Sequence, residues 1–127
     1  KTIAILGLAF KPNTDDVRES PAKDIINSIL NHGGFVNAYD PVANGAMSEV
    51  YPEINYCDSW RDACENADAV VLITEWNEFR GIDLYILKQI LSSPLILDTR
   101  NIFSVDKLKK NGFIYDNVGR NNIKWKL

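Results

Sequence analysis

The chain carries one histidine and two cysteines in 127 residues. That is too few ligands for a metal site, and Cys57 and Cys64 do not make a disulfide framework. Two reduced, partly buried thiols are expected, Cys57 at a strand end and Cys64 in a short helix, as in a cytosolic protein. His32 stands before Gly33-Gly34, where a helix C-terminus would favour a cation. No apolar run approaches the ~18 residues of a membrane-spanning helix. Lys1–Leu6 is too short for a signal peptide and has no cleavage site. The net charge of −3 argues against nucleic-acid binding by bulk electrostatics. Glycine is scarce where a dinucleotide fold would need it: Gly7 is the first loop's only glycine, so a G-x-G-x-x-G cradle is missing.

What is present is an alternation of apolar strands and amphipathic segments. Ile3–Leu8 is apolar throughout, as in a strand covered on both faces. Ser20 is placed to cap the next helix, with Pro21 at its first position. Ile25, Ile26, Ile29 and Leu30 follow at helical spacing until Gly33-Gly34. Strands are expected at Phe35–Tyr39, Ile54–Cys57, Ala69–Ile73, Leu95–Leu97 and Phe113–Tyr115, the last at an edge. Helices are expected over Ala43–Val50, from the Ser59 cap through Cys64, from Asp83 through Leu91, and from Ser104 through Lys110. This order predicts an α/β, Rossmann-like three-layer sandwich with a mostly parallel sheet. One domain covers residues 1–120, and 121–127 form an irregular tail. A start directly on a strand without an initiator methionine suggests a domain cut from a longer chain.

If Ile3–Leu8 and Ala69–Ile73 are adjacent central strands, their C-terminal ends form a topological switch point, where ligands bind in open α/β sheets. Four segments then surround one crevice: Phe10–Arg18, Asp40-Pro41, Thr74–Arg80 and Asp98–Asn101. Lys11 and Arg100 lie just past two strands and suit an anion, as a point charge and as a two-pronged grip. The plainer reading is a pair of solvated loop cations. Arg18 pairs with Asp15, Asp16 or Glu19 in its simplest role. Asp15-Asp16 is weak support for magnesium and better suited to holding the loop. Trp76 and Phe79 either stack on a base or a neighbouring subunit or cover the sheet, and packing is expected for at least one. Glu75 and Glu78 do not define an acid–base pair. Asp40 stands where a ribose-binding acid would, or simply makes a turn with Pro41.

Taken together these loops resemble the UDP-glucose/GDP-mannose 6-dehydrogenase family, in its C-terminal nucleotide-sugar-binding domain. The resemblance rests on Gly7-Leu8-Ala9-Phe10-Lys11-Pro12-Asn13-Thr14-Asp15-Asp16 with Arg18-Glu19-Ser20-Pro21, and on Ala38-Tyr39-Asp40-Pro41. It continues through Ala67-Asp68-Ala69, Thr74-Glu75-Trp76-Asn77-Glu78-Phe79-Arg80 and Asp98-Thr99-Arg100-Asn101. Gly112-Phe113 and Val118-Gly119-Arg120 close it, so it spans nearly the whole chain in order.

The loop from Thr74 to Arg80 is most similar to family members acting on UDP-glucose. Sister enzymes for GDP-mannose or UDP-N-acetylhexosamines are the alternative, and a stand-alone, non-catalytic nucleotide-binding module is a third. The resemblance implies a cytoplasmic enzyme, a homodimer in its full-length form. It would oxidise UDP-glucose to UDP-glucuronate with two NAD, through a thiohemiacetal and a thioester, for surface polysaccharides. It implies that Phe10, Lys11 and Arg100 contact the nucleotide sugar and that Arg18 reaches toward NAD, bound mainly by an N-terminal domain. Neither Cys57 nor Cys64 stands in the family's catalytic cysteine motif, so this stretch of chain is expected to bind without catalysing.

Overall fold

The structure is a computed structural model, and it describes residues 1–117. The expected tail and the Val118-Gly119-Arg120 motif lie outside the described residues. Strands β1 (Thr2–Leu6), β2 (Phe35–Tyr39), β3 (Asn55–Tyr56), β4 (Ala69–Leu72), β5 (Leu95–Asp98) and β6 (Ile114–Asn117) form one sheet. Its order is β3-β2-β1-β4-β5-β6, and every neighbouring pair is parallel. The sheet expected to be mostly parallel is therefore wholly parallel among the described residues. β1 and β4 are the adjacent central pair, in register from Ile3–Ala69 to Leu6–Leu72.

Helices α1 (Ala22–Asn31) and α2 (Asn44–Val50) cover one face. Helices α3 (Trp60–Cys64), α4 (Asn77–Arg80), α5 (Leu84–Ile90) and α6 (Val105–Lys110) belong to the other. The period of two in a strand divides the core between them. Ile3 and Ile5 of β1 join Ile26, Ile29 and Met47 on the first side. Ala4 and Leu6 join Cys64, Phe79, Leu87 and Leu108 on the second. A strand buried on both faces cannot alternate in polarity, which is why β1 and β4 read as continuous apolar runs.

The helix starts follow local chemistry. Ser59, Asp83 and Ser104 each accept a backbone N–H from the first turn of α3, α5 and α6. Ser20 Oγ accepts the Ala22 N–H at 3.1 Å, while Pro21 already has helical angles (φ −65°, ψ −13°). α4 is the one helix absent from the sequence expectations. It is a single turn begun by Trp76, which supplies no side-chain cap.

Candidate functional site

The C-terminal ends of β1 and β4 meet without a gap because of Gly7. A Cβ there would lie 2.5 Å from the Thr74 nitrogen and 2.6 Å from Thr74 Cβ and Oγ1. Gly7 also has φ +99°, a conformation that side-chain-bearing residues avoid. Thr74 is fully buried, and its hydroxyl donates to the Ala9 carbonyl at 2.7 Å. The two crossover loops are thus fastened to each other where they leave the sheet.

Asp40, 2% exposed, makes the second fastening. Its Oδ2 accepts from the Leu8 N–H at 2.8 Å, the Ala9 N–H at 3.0 Å and Trp76 Nε1 at 3.2 Å. Its Oδ1 accepts from the Val42 and Ala43 N–H groups, each at 2.9 Å. Five donors from three segments converge on one carboxylate, which compensates its burial. Of the two roles open to Asp40 in the sequence, the turn describes it, extended to a tie across the crevice floor. A ribose would find no free lone pair there.

Asp98 does the same on the far side. Fully buried, it accepts the Arg100 N–H through Oδ1 and the Phe103 N–H through Oδ2, at 3.2 and 2.8 Å. Thr99 Oγ1 donates to the Leu72 carbonyl at 2.7 Å. Arg100 Nε donates to the Ile73 carbonyl at 3.0 Å, which fixes the guanidinium by one edge. The loops bearing Lys11 and Arg100 both turn through an asparagine with positive φ, Asn13 at 66° and Asn101 at 53°. Asparagine tolerates that region better than other side-chain-bearing residues.

Phe10, Lys11, Pro12, Thr74, Glu75 and Arg100 line one pocket of about 200 Å³. The three residues expected to contact a ligand are therefore brought together, from loops far apart in the chain. Neither Lys11 nor Arg100 forms an ion pair among the described residues, whose two salt bridges are Arg18–Asp16 and Arg80–Glu75. Phe10 is 41% exposed, so an aromatic face stands beside the cations. The pocket suits an anion attached to something flat or apolar.

Arg18 lies apart, on a more open depression with Asp15, Asp16 and Lys23. Its Nε and Nη2 grip Asp16 at 3.1 and 2.9 Å, and its side chain is 86% exposed. Hydrogen bonding from Arg18, with a smaller contribution from the Lys11 charge, holds the Asp16 carboxyl down to about 2. The pairing with Asp16 was one of the partners open in the sequence.

The aromatic loop after β4 is committed to packing. Phe79 is fully buried and meets Tyr39 edge-on, with ring centroids 6.1 Å apart. Trp76 packs against the same core. Tyr39 OH donates to Glu78 Oε1 at 3.0 Å. Burial, then that acceptor, pushes Tyr39 up to about 12. Burial also pushes Cys64 up to about 12 and raises Cys57. Burial thus disfavours the thiolate at both positions. No group of three or more potential metal ligands occurs among the described residues.

A family profile described as the UDP-glucose/GDP-mannose dehydrogenase family, UDP binding domain, matches residues 4–105. The chain is 43% identical over 126 residues to a UDP-glucose 6-dehydrogenase of Pseudomonas aeruginosa, and 42% identical over 121 residues to UDP-glucose 6-dehydrogenase TuaD of Bacillus subtilis. Both alignments take in 94% of this chain but only 28% and 26% of the relatives, so it spans about a quarter of their length.

Solved structures with the same fold include an NDP-N-acetyl-D-galactosaminuronic acid dehydrogenase from Methanosarcina mazei Go1. It superposes with a TM-score of 0.81 at 29% identity, over 94% of this chain and 25% of that one. A UDP-D-ManNAc dehydrogenase from Pyrococcus horikoshii gives 0.73 at 32% identity, over 96% and 26%.

Proposed function

Because the chain belongs to the UDP-glucose/GDP-mannose dehydrogenase family, as its UDP-binding domain, we propose that it holds UDP-glucose for oxidation to UDP-glucuronate by a longer protein. The observation that carries this reading is the pairing of Lys11 and Arg100 at one pocket, neither in an ion pair among the described residues. Lys11 and Arg100 take the diphosphate, and Phe10 packs beside the nucleoside. Arg100 arrives with its Nε already engaged by Ile73, so its two terminal nitrogens are oriented before the ligand binds. The choice of glucose rests on the similarity to curated relatives named UDP-glucose 6-dehydrogenase.

The oxidation calls for NAD, which supplies the hydride acceptor. The described residues do not make a dinucleotide cradle. The first loop has one glycine, and both Asp40 oxygens are filled by N–H donors. NAD is therefore held mainly by another part of the longer protein, with Arg18 as this chain's contact toward it. Neither Cys57 nor Cys64 supplies the thiol.

A second reading, a sister enzyme for an N-acetylated sugar nucleotide, is supported by the solved structures named as UDP-D-ManNAc and NDP-N-acetyl-D-galactosaminuronic acid dehydrogenases, at the lower identities of 32% and 29%. The test is turnover by the longer protein. UDP-glucose is expected to be oxidised with release of about two NADH per sugar, as a four-electron oxidation requires. Preference for UDP-N-acetylmannosamine or GDP-mannose would move the chain to a sister enzyme. Nucleotide binding without turnover of any sugar would leave a non-catalytic module.

A further inference from the structure

Among the described residues, Glu75 is the one acidic residue lining the pocket that Lys11 and Arg100 share. It forms no hydrogen bond or ion pair with either cation among the described residues. Its Oε2 instead accepts from Arg80 Nη2 at 3.2 Å, outside the pocket lining, with the two side chains 44% and 46% exposed. So exposed a pair is only partly neutralised, because water competes for both partners. The pocket therefore presents two positive charges and one negative charge to whatever enters. Because it is small, these charges act on a bound phosphate from within about one Debye length, ~8 Å at physiological salt.

From this juxtaposition we infer that Glu75 is a charge filter, a specificity-determining residue that disfavours nucleotides carrying more charge than a nucleoside diphosphate sugar. The inference rests on the reading of this pocket as the diphosphate site. The chemistry of the competitors supplies the contrast. In a UDP-sugar the outer phosphate is esterified and cannot ionise a second time. In free UDP that phosphate is terminal, with a second ionisation near ~6, so it carries an extra negative charge at neutral pH. UTP carries more still. Two cations without Glu75 would hold the more highly charged nucleotides most tightly and let them compete with the sugar nucleotide. A carboxylate in the same pocket penalises each additional charge.

The experiment is calorimetric titration of the full chain and its Glu75→Gln variant with UDP-glucose, UDP and magnesium-free UTP. Glu75 is exposed, and the amide keeps its shape, so the fold is not at issue. Removing the charge is expected to tighten binding in order of ligand charge. The gain is about twofold for UDP-glucose and rises to about fivefold for UTP, the scale of exposed charge interactions. Raising the salt from about 0.1 M to about 0.5 M should compress that spread, through a shorter Debye length. An equal change for all three ligands, or weaker binding of UDP-glucose, would overturn the filter. Failure of the unsubstituted chain to bind any uridine nucleotide would overturn the underlying site, and the filter with it.

Discussion

Gly7→Ala should destabilise the chain by about 3 kcal/mol or more, read as a shift in the denaturant midpoint at unchanged slope. Two costs combine. A φ of +99° is strained for alanine, and the new methyl would meet the Thr74 nitrogen at 2.5 Å. The second cost cannot be relieved by moving a flexible side chain, because that nitrogen belongs to the backbone leaving β4. Trimming the threonine does not remove it, so Thr74→Ala should not rescue Gly7→Ala. Either the β1 loop or the β4 loop must shift, and those loops carry Lys11 and Glu75. Nucleotide affinity should therefore fall with stability. A variant as stable as the unsubstituted chain would mean that the two loops are not held in this close approach.

Asp40→Ala should cost about 4 kcal/mol, and ligand affinity should fall in whatever fraction remains folded. The substitution strips five N–H donors of their acceptor. Leaving buried donors unsatisfied costs roughly 1–3 kcal/mol each before relaxation and water entry reduce the sum. Asp40→Asn keeps the shape but replaces one acceptor oxygen with an NH2 donor, so its stability should fall between the unsubstituted chain and Asp40→Ala. Indole fluorescence offers a local reading, because Trp76 Nε1 loses its partner in Asp40→Ala. A loss below about 1 kcal/mol would show that the carboxylate is not the tie across the crevice.

Much of the architecture was legible because its signals are local. Apolar runs marked the strands, and Ser59, Asp83 and Ser104 marked the helix starts with the caps they form. Parallel strands in α/β order then placed Lys11 and Arg100 at the same end of the sheet. Their shared pocket follows from β1 pairing with β4 and β4 with β5. What escaped was tertiary. The Asp40 carboxylate reaches Leu8, Ala9 and Trp76, residues more than thirty positions away, and nothing beside Asp40 separates such a tie from a turn. Thr74 reads as a loop threonine until Gly7 is seen beneath it. The turn of α4 has no capping side chain, and its order comes from burying Phe79 against Tyr39. Arg18 shows both levels at once. Its grip on Asp16 is local, whereas its proposed contact toward NAD rests on the resemblance of its motif to the family.

If Lys11 and Arg100 form one anion site for a uridine nucleotide, titrating UDP into the chain and into Lys11→Ala and Arg100→Ala in a calorimeter will show it. Saturable binding is expected, with each substitution weakening it by at least about tenfold, as loss of a charge-assisted hydrogen bond of ~1.5–3 kcal/mol requires. Lys11→Ala should keep the parent's thermal stability, because that side chain is exposed, whereas Arg100→Ala also removes the donor to the Ile73 carbonyl and should lose about 1 kcal/mol. Binding of UDP unchanged by either substitution would rule out the shared site and leave the two residues as solvated loop cations.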